Sequence, residues 1–442
     1  MDGLQAGWAQ REITPTLGIH MGGYWGRRSG ATEINDPLYA RVVVWRDALA
    51  AAVLISLDIV ALAPEWVARI RRDVSASHPD ISPEAVLVCC THTHAGPLTL
   101  PYRGMGDVDE GYLAQVCGAV EDCAREAARR LADARLGYAR AAAQIGVNRR
   151  QTRSGTVVLG DNPDGPVAPH AHVMTVHTAR GRAVIFQHAC HPVVLGNSNH
   201  AISADFPGVA CAEVERQSGA FAMYINGAAG DINPRTTDGT FADVASLGRE
   251  LGAAVAAAVE DTVPLAFSPV GACSQRIDLP LMAPPPLARA ACERAKQTLK
   301  VAIKSAGDEW SRRVPQAQLE WSRAWLQAAR DPQLVTTQSF EIQGLRIGGL
   351  TWLGLEGEIF VRYQLDLEAA SQEPVVICGY ANGCIGYVPT QDEYERGGYE
   401  VEEAYRVYPS VLMIAPQSDA IIRQAVQDLL RALSEGESTI AR

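Results

Sequence analysis

Short runs of Val, Ile and Leu alternate along the chain with longer segments in which apolar residues recur at helical spacing between Arg and Glu. The short runs are typical of strands buried in a sheet, and the longer segments are typical of amphipathic helices. The pattern predicts an α/β fold with a mixed β-sheet core flanked by helices. The predicted strands are 41–45 and 51–57 as a hairpin, 85–90, 173–177, 183–188, 221–226 and a β-meander over 338–355, and the predicted helices are 65–75, 111–134, 242–260 and 419–433.

Residues 284–331 differ in composition from the rest of the chain. Three consecutive prolines open a stretch that is rich in Ala, Arg, Lys, Gln and Trp. We expect a helical hairpin inserted over the core, with an ordinary solvated face rather than a lid or an oligomer contact. Because no repeat, low-complexity tract or long linker interrupts the sequence, residues 1–442 are expected to form one domain.

Composition narrows the function classes. The 442 residues are 47% hydrophobic and carry a net charge of −11, which argues against nucleic acid as a partner. The N-terminal segment lacks the basic flank and apolar run of a signal peptide, and no apolar run reaches the ~20 residues of a membrane span. Ten cysteines without a CxxC pair predict reduced thiols and a cytoplasmic location. We expect a small-molecule substrate, and the oligomeric state is left open, with a homo-oligomer as one option.

The segment 86–97 carries the most informative chemistry. A buried strand runs into His92 and His94, which share a face at its end, and a Gly-Pro turn follows. Two imidazoles at a strand end are typical of metal and catalytic sites in α/β proteins. A bare HxH pair is weak evidence, and His170 and His172 are interpreted as a chance pair of this kind.

Two further strand ends and one loop offer donors to a metal. His191 precedes a proline after an apolar strand, although a core histidine bonded to backbone is the simpler interpretation. Glu356 and Glu358 close another apolar run, and Tyr387 lies in a glycine-rich loop. A hydrolytic zinc site takes about three protein ligands and keeps one position open. Spacing alone does not choose among these candidates.

A resemblance to a known family selects among these candidate ligands. The sequences GWAQREITP at 7–15 and THTHAGP at 91–97, followed by segments 190–208, 230–234, 357–358 and 382–399, resemble motifs of the neutral/alkaline (non-lysosomal) ceramidase family in the family's order. The resemblance covers nearly the whole chain and implies that family's catalytic-domain fold. By position it implies Zn²⁺ ligands at His92, His191, Glu358 and Tyr387. It also implies a second reaction-centre tyrosine at Tyr399 and a pocket arginine at Arg149.

Two departures from the family change the expected activity. Asn233 stands where ceramidases have the serine taken to be the nucleophile, and asparagine cannot serve as one. By the resemblance, we also expect the chain to correspond to the family's catalytic domain alone, without its C-terminal immunoglobulin-like domain. We therefore expect a ceramidase-like protein of the bacterial branch that lacks the serine, and we do not expect ceramide to be its substrate.

These observations lead to one functional hypothesis and its rivals. The expected activity is zinc-dependent hydrolysis of a non-peptide amide or related acyl bond by a metal-activated water. We expect His94 to shuttle protons, Asn233 to donate to the developing oxyanion, and Arg149 and Tyr399 to orient the substrate. The alternatives are a metal-dependent lyase or isomerase of a polar carbonyl compound, a non-catalytic ligand-binding homologue, and an amidohydrolase-type (β/α)₈ barrel.

Overall fold

The structure, a computed structural model, describes residues 3–284, 288–331 and 336–436. The strands are β1 Gln5–Glu12, β2 Glu33–Ile34, β3 Tyr39–Arg46, β4 Ala51–Leu57, β5 Val86–Cys90, β6 Ala132–Ala142, β7 Gly146–Arg153, β8 Thr156–Asn162, β9 His170–Thr178, β10 Gly181–His188, β11 Ala201–Ile202, β12 Phe221–Asn226, β13 Ile232–Pro234, β14 Val263–Pro264, β15 Gly271–Pro280, β16 Thr337–Ile347, β17 Leu350–Leu355, β18 Glu358–Ile359, β19 Val375–Cys378 and β20 Tyr387–Val388. The helices are α1 Pro64–Ser77, α2 Glu110–Arg129, α3 Asp205–Ser218, α4 Phe241–Val259, α5 Ala288–Ser305, α6 Glu309–Arg330, α7 Val361–Ala370, α8 Glu393–Arg396, α9 Tyr399–Glu402 and α10 Ser418–Glu435.

A large mixed sheet forms the centre of the protein. Its strand order is β12-β10-β9-β6-β1-β3-β4-β5, with β14 paired to β6. The β4–β5 and β10–β12 pairs are parallel, whereas β3–β4 and β9–β10 are antiparallel. Helix α2 packs on β1 and β3, α3 packs on β12, and α4 packs on β6 and β9. The predicted α/β core with a mixed sheet and flanking helices is therefore confirmed.

The two edge strands of this sheet approach each other. Ser56 Oγ on β4 donates to the carbonyl of Tyr224 on β12 at 2.6 Å. Asn226 Nδ2, at the end of β12, donates at 3.0 Å to the carbonyl of Thr91, just after β5. These buried bonds bring the carboxyl ends of two strands together, and the segments that carry the candidate site leave from there.

A second, four-stranded sheet has the order β15-β16-β17-β19, and α10 packs on β15 and β16. After β17 the chain forms the short strand β18, which pairs in parallel with β20 so that Glu358 lies opposite Tyr387. This register places two of the predicted metal ligands side by side although they are far apart in sequence.

The local predictions hold where the apolar pattern is strong. The hairpin β3–β4 and the meander β16–β17 are observed as predicted. The helix predicted over 111–134 is too long, because α2 ends at Arg129 and β6 begins at Ala132. The alanines and arginines of β6 suit a helix, but antiparallel pairing with β9 makes the segment a strand. Strands β1, β7, β8 and β15 were not predicted.

The segment 284–331 contains the predicted pair of helices, α5 and α6, which pack on each other. Residues 285–287 lie outside the described residues. Asp308 caps α6 by accepting from Ser311 N, and Trp325 and Leu326 of α6 form a small apolar cluster with Leu412. The hairpin is thus fastened to the loop before α10. Among the described helices, none combines the length and apolarity needed to cross a bilayer.

Candidate metal centre and its cavity

His92 lies in the turn that follows β5 and is buried. Its backbone has φ 69°, a left-handed conformation that histidine seldom adopts, and its N–H donates at 3.0 Å to the carbonyl of Ile59. The ring Nδ1 lies 2.6 Å from the carbonyl of Val60. Because a carbonyl only accepts, Nδ1 carries the hydrogen, and the Nε2 lone pair is left for the site.

His191 is fixed in the same way from another part of the chain. Its Nδ1 lies 2.5 Å from the carbonyl of Ala229, and its backbone N–H donates to the carbonyl of Ile232. Its Nε2 lies 2.8 Å from Oε2 of Glu358. Burial and the nearby Arg149 guanidinium lower the pKa of His191 to about 4, so the ring is neutral at physiological pH.

Glu358 is the carboxylate on which the imidazoles converge. Its Oε2 is also 3.5 Å from Nε2 of His92, and its Oε1 accepts a hydrogen bond from the hydroxyl of Tyr408. Burial opposes ionisation, but the adjacent His92 and His191 outweigh it and hold the pKa of Glu358 well below its usual range. The group is therefore charged.

His94 is expected to lie outside the set of ligands, but its ring lies close to the other donors. Its Nε2 is 3.1 Å from Nε2 of His92, and one ring nitrogen from each of His92, His94 and His191 lies within 4.8 Å of the others. Burial and the two neighbouring histidines lower the pKa of His94 well below its usual value. Its Nδ1 is buried and has no hydrogen-bond partner within the described part of the chain.

The donor set fits a zinc ion. Zinc in proteins is bound by imidazole nitrogen and carboxylate oxygen at about 2.0–2.2 Å in tetrahedral geometry, which separates neighbouring ligands by roughly 3.3 Å. Here the separations are 2.8 Å for His191 to Glu358, 3.1 Å for His94 to His92, and 3.5 Å for His92 to Glu358. The backbone carbonyls that fix Nδ1 of His92 and Nδ1 of His191 are the outer partners that metal-binding histidines usually have.

Asn233 and Arg149 lie on paired strands beside this centre. Arg149 follows Asn148 of β7, which pairs with Ile232 of β13. The guanidinium Nη1 donates to Oδ1 of Asn233 at 3.2 Å. Because arginine can only donate, this bond assigns Oδ1 as the acceptor and leaves Nδ2 of Asn233 as the donor of the amide.

Arg149 is itself held in place. Its Nε donates at 2.8 Å to the buried Glu400, and its guanidinium carbon lies 5.2 Å from the ring centroid of Tyr387. Its Nη2 is buried and has no hydrogen-bond partner among the residues described. A buried cationic N–H without a partner is costly, and a polar group of a ligand would satisfy it.

A cavity of about 530 Å³ contains these groups, a size usual for small-molecule sites. Seven of the eight predicted site residues line it, namely His92, His94, Arg149, Asn233, Glu358, Tyr387 and Tyr399. His191 is fully buried and reaches the site through Glu358. Charged and polar side chains also line the cavity, among them Asp161, Asp238, Glu403, Arg406 and, from α6, Gln318.

Sequence reasoning did not find two tyrosines of the centre. Tyr408 donates to Glu358, and Tyr380 stacks on His92 with ring centroids 3.9 Å apart. Neither lies in a pattern that marks a site, because tyrosine is usually a packing residue. The interpretation of His170 and His172 as a chance pair is also too simple, because both rings lie against Glu368.

Comparison with known proteins gives a match at the level of structure. No protein-family model and no curated protein matches the sequence. The whole chain aligns with 77% of the crystal structure of a neutral ceramidase from Pseudomonas aeruginosa, with 21% identity and a TM-score of 0.72. It aligns equally with 77% of a ceramidase complexed with C2, with 20% identity and a TM-score of 0.76. The protein therefore has a ceramidase-like fold, as the sequence motifs indicated.

Proposed function

We propose that this protein is a zinc-dependent hydrolase that cleaves a non-peptide amide or related acyl bond of a small polar molecule. The observation that carries the proposal is the convergence of His92, His191 and Glu358 at the cavity, with each imidazole fixed by a backbone carbonyl. Tyr387, opposite Glu358 in the parallel strand pair, is the proposed fourth ligand. When bound, zinc polarises an acyl carbonyl and lowers the pKa of a water molecule, so the protein itself needs no nucleophile.

His94 is the proposed proton carrier. Its lowered pKa keeps the ring neutral, and a neutral imidazole can accept a proton from the attacking water and return it to the leaving group. The orphaned Nδ1 leaves one ring nitrogen without a competing protein partner. Nε2 of His94 lies only 3.1 Å from Nε2 of His92, a distance that also suits a fourth metal ligand. The variant His94→Ala separates the two roles. Loss of a ligand lowers zinc content, whereas loss of a proton carrier leaves zinc content unchanged.

Asn233 takes the place of the ceramidase serine with a different task. Its Nδ2 is held ready to donate to the oxygen of the acyl group as negative charge develops there, which stabilises the transition state more than the substrate. Arg149 fixes that orientation through Nη1, and its buried Nη2, which makes no well-formed hydrogen bond to a described residue, is the proposed donor to a polar group of the substrate. Tyr399, which also lines the cavity, is the proposed second contact to the substrate.

The cavity supports a small polar substrate in preference to ceramide. Carboxylates and guanidinium groups of both signs line it, including Asp161, Asp238 and Arg406. Alkyl chains passing these groups would strip them of water without replacing their hydrogen bonds, which is unfavourable. Together with the absent serine, this argues for a compact acyl compound with polar substituents.

A labelled-water assay tests the proposal. The purified full-length protein is incubated with a panel of amides and esters in ¹⁸O water, and zinc is measured by elemental analysis. We expect ¹⁸O in the acid product and loss of one zinc equivalent in His191→Ala but not in His177→Ala, a partly exposed control on β9. A product without label would indicate a lyase or isomerase, and zinc binding without turnover of any compound would indicate a binding protein. Either result would refute the hydrolase.

The cytoplasmic location is part of the same proposal. Apart from Cys273, the cysteines of the described residues are free thiols, eight of them buried and Cys292 partly exposed. Free thiols are usual in a reducing compartment. Fractionation of cells tests this prediction, and recovery of the protein outside the cytoplasm would contradict it.

A further inference from the structure

A second group of metal-binding side chains lies apart from the cavity, where β9 begins. His170 and His172 come from β9, and Glu368 comes from α7. Nε2 of His172 lies 2.9 Å from Oε1 of Glu368, and Nε2 of His170 lies 3.3 Å from Oε2 of the same carboxylate. One donor atom from each residue lies within 4.8 Å of the others. Of the described residues that line the cavity, none belongs to this group.

The fold brings these residues together for identifiable reasons. Residues two apart on a strand share a face, so His170 and His172 project to the same side of β9. Glu368 lies one turn beyond Gln364 on α7, and residues four apart on a helix also share a face. The Oε1 of Gln364 accepts from Nε2 of Gln187 at 3.0 Å, which fixes α7 against the sheet. Gln187 is the register partner of His172 on β10, so the carboxylate is directed to the histidines.

The surroundings of the group match those of a metal site. Nδ1 of His172 lies 2.7 Å from the hydroxyl of Tyr138, which accepts from Nε of Arg140 at 3.1 Å. A hydrogen bond on the second ring nitrogen is the usual support of a metal-binding histidine. Nε2 of His170 is buried 3.3 Å from Oε2 of Glu368, but this contact lacks the alignment of a good hydrogen bond, and no other described residue bonds to the nitrogen. The side chain of His170 is 17% exposed, which gives an ion access from solvent.

We propose that His170, His172 and Glu368 bind a second Zn²⁺ ion that ties α7 to the central sheet. Two imidazole nitrogens and a carboxylate are donors that zinc accepts, and the observed separations suit tetrahedral coordination with water in the fourth position. The ion gives Nε2 of His170 a partner that its poorly aligned contact with Glu368 does not provide. This site is independent of the proposed catalytic centre. The competing description is a hydrogen-bonded cluster only, in which the chain from Arg140 through Tyr138 and His172 to Glu368 is complete without an ion.

A count of bound zinc tests the proposal. The full-length protein is stripped with a chelator, titrated with ZnCl₂ in a calorimeter, and analysed for zinc after desalting. We expect two equivalents for the unmodified protein and for His177→Ala, and one equivalent for His170→Ala and for Glu368→Gln. Tyr138→Phe removes the support of His172 and should weaken this equivalent roughly 10- to 100-fold.

The variants also separate this proposal from the proposed function. His191→Ala should keep the equivalent bound by His170, so a single equivalent that survives His191→Ala but not His170→Ala upholds this site and refutes the catalytic one. Glu368→Gln keeps the size of the side chain, and circular dichroism verifies that it is folded. Two results would overturn the proposal. In the first, the unmodified protein binds one equivalent of zinc and His191→Ala binds none. In the second, His170→Ala and Glu368→Gln both still bind two equivalents.

Discussion

Replacing Asn233 by alanine removes an amide donor that lines the cavity beside the proposed metal ligands. The amide is oriented because Arg149 donates to its Oδ1, so Nδ2 cannot turn away without breaking that bond. Alanine leaves the proposed zinc ligands in place. The substitution therefore tests transition-state stabilisation separately from metal binding.

The size of the effect follows from the environment of the donor. Asn233 borders a cavity next to buried charged groups, where a preorganised hydrogen bond to developing charge is stronger than in water. Removal of one such donor costs about 2.7–4 kcal/mol of transition-state stabilisation, which corresponds to a fall of about 10²–10³-fold in kcat. We expect a fall of at least two orders of magnitude, with zinc content unchanged.

The assay is steady-state hydrolysis of the best substrate from the panel, with zinc measured on the same samples. Asn233→Asp is the matched control, because it keeps an oxygen acceptor for Arg149 but has no amide donor. We expect both variants to lose activity. A wild-type rate in zinc-loaded Asn233→Ala would remove Asn233 from the mechanism. Loss in Asn233→Ala but full activity in Asn233→Asp would refute the donor role and leave Asn233 as a residue that positions the guanidinium.

Three further predictions concern the metal, the geometry of the site and pH. Tyr408→Phe removes the hydroxyl that donates to Glu358, so we expect zinc binding to weaken about 10- to 100-fold in a chelator competition. Tyr102→Phe changes the ring that contacts Tyr408 and should leave zinc affinity unchanged. Equal zinc affinities of the two variants would contradict the role of Tyr408. Gly23→Ala should lower kcat about 10²-fold, because the added Cβ would lie 2.3 Å from Cγ of His94, the proposed proton carrier. Gly26 has a similar φ, and a Cβ there would have no described atom within 4 Å, so Gly26→Ala is the control. Equal losses of kcat in the two variants would argue against the clash. Burial raises the pKa of Glu356 from 4.5 to about 7, so the stability it contributes is present below pH 4.5 and lost as the pH rises through 7. Relative to wild type, the free energy of unfolding of Glu356→Gln should therefore increase by on the order of 3 kcal/mol between pH 4.5 and 8 in denaturant titrations, and a constant difference would refute the shifted pKa.

The sequence predicted the parts of the fold whose signal is local. Strand β4 is buried along its whole length and reads as a continuous apolar run, and α10 shows a clear apolar face. Strand β6 was mistaken for the end of a helix, because its alanines and arginines have helical propensity. What makes it a strand is pairing with β9 and β1, a contact between segments far apart in the chain. No window of sequence contains that information.

The residues of the site also differ in whether a local sequence pattern indicates them. His92, His191 and Glu358 could be identified as possible donors at strand ends and Tyr387 as one in a loop, whereas the choice among the candidates came only from the family resemblance. Tyr408 could not be selected at all, because its role depends on the loop before α10 folding back onto β18. No sequence pattern indicates Glu368 either, because its partners lie on β9 and only the packing of α7 brings them into contact.

The spread of the proposed ligands along the chain has a consequence for biosynthesis. His92 leaves the ribosome long before Glu358, and a nascent polypeptide that lacks β18 offers no carboxylate to complete the set. If these residues bind the proposed ion, its loading must follow release of most of the chain, and a partly synthesised polypeptide could not hold a metal in the final geometry.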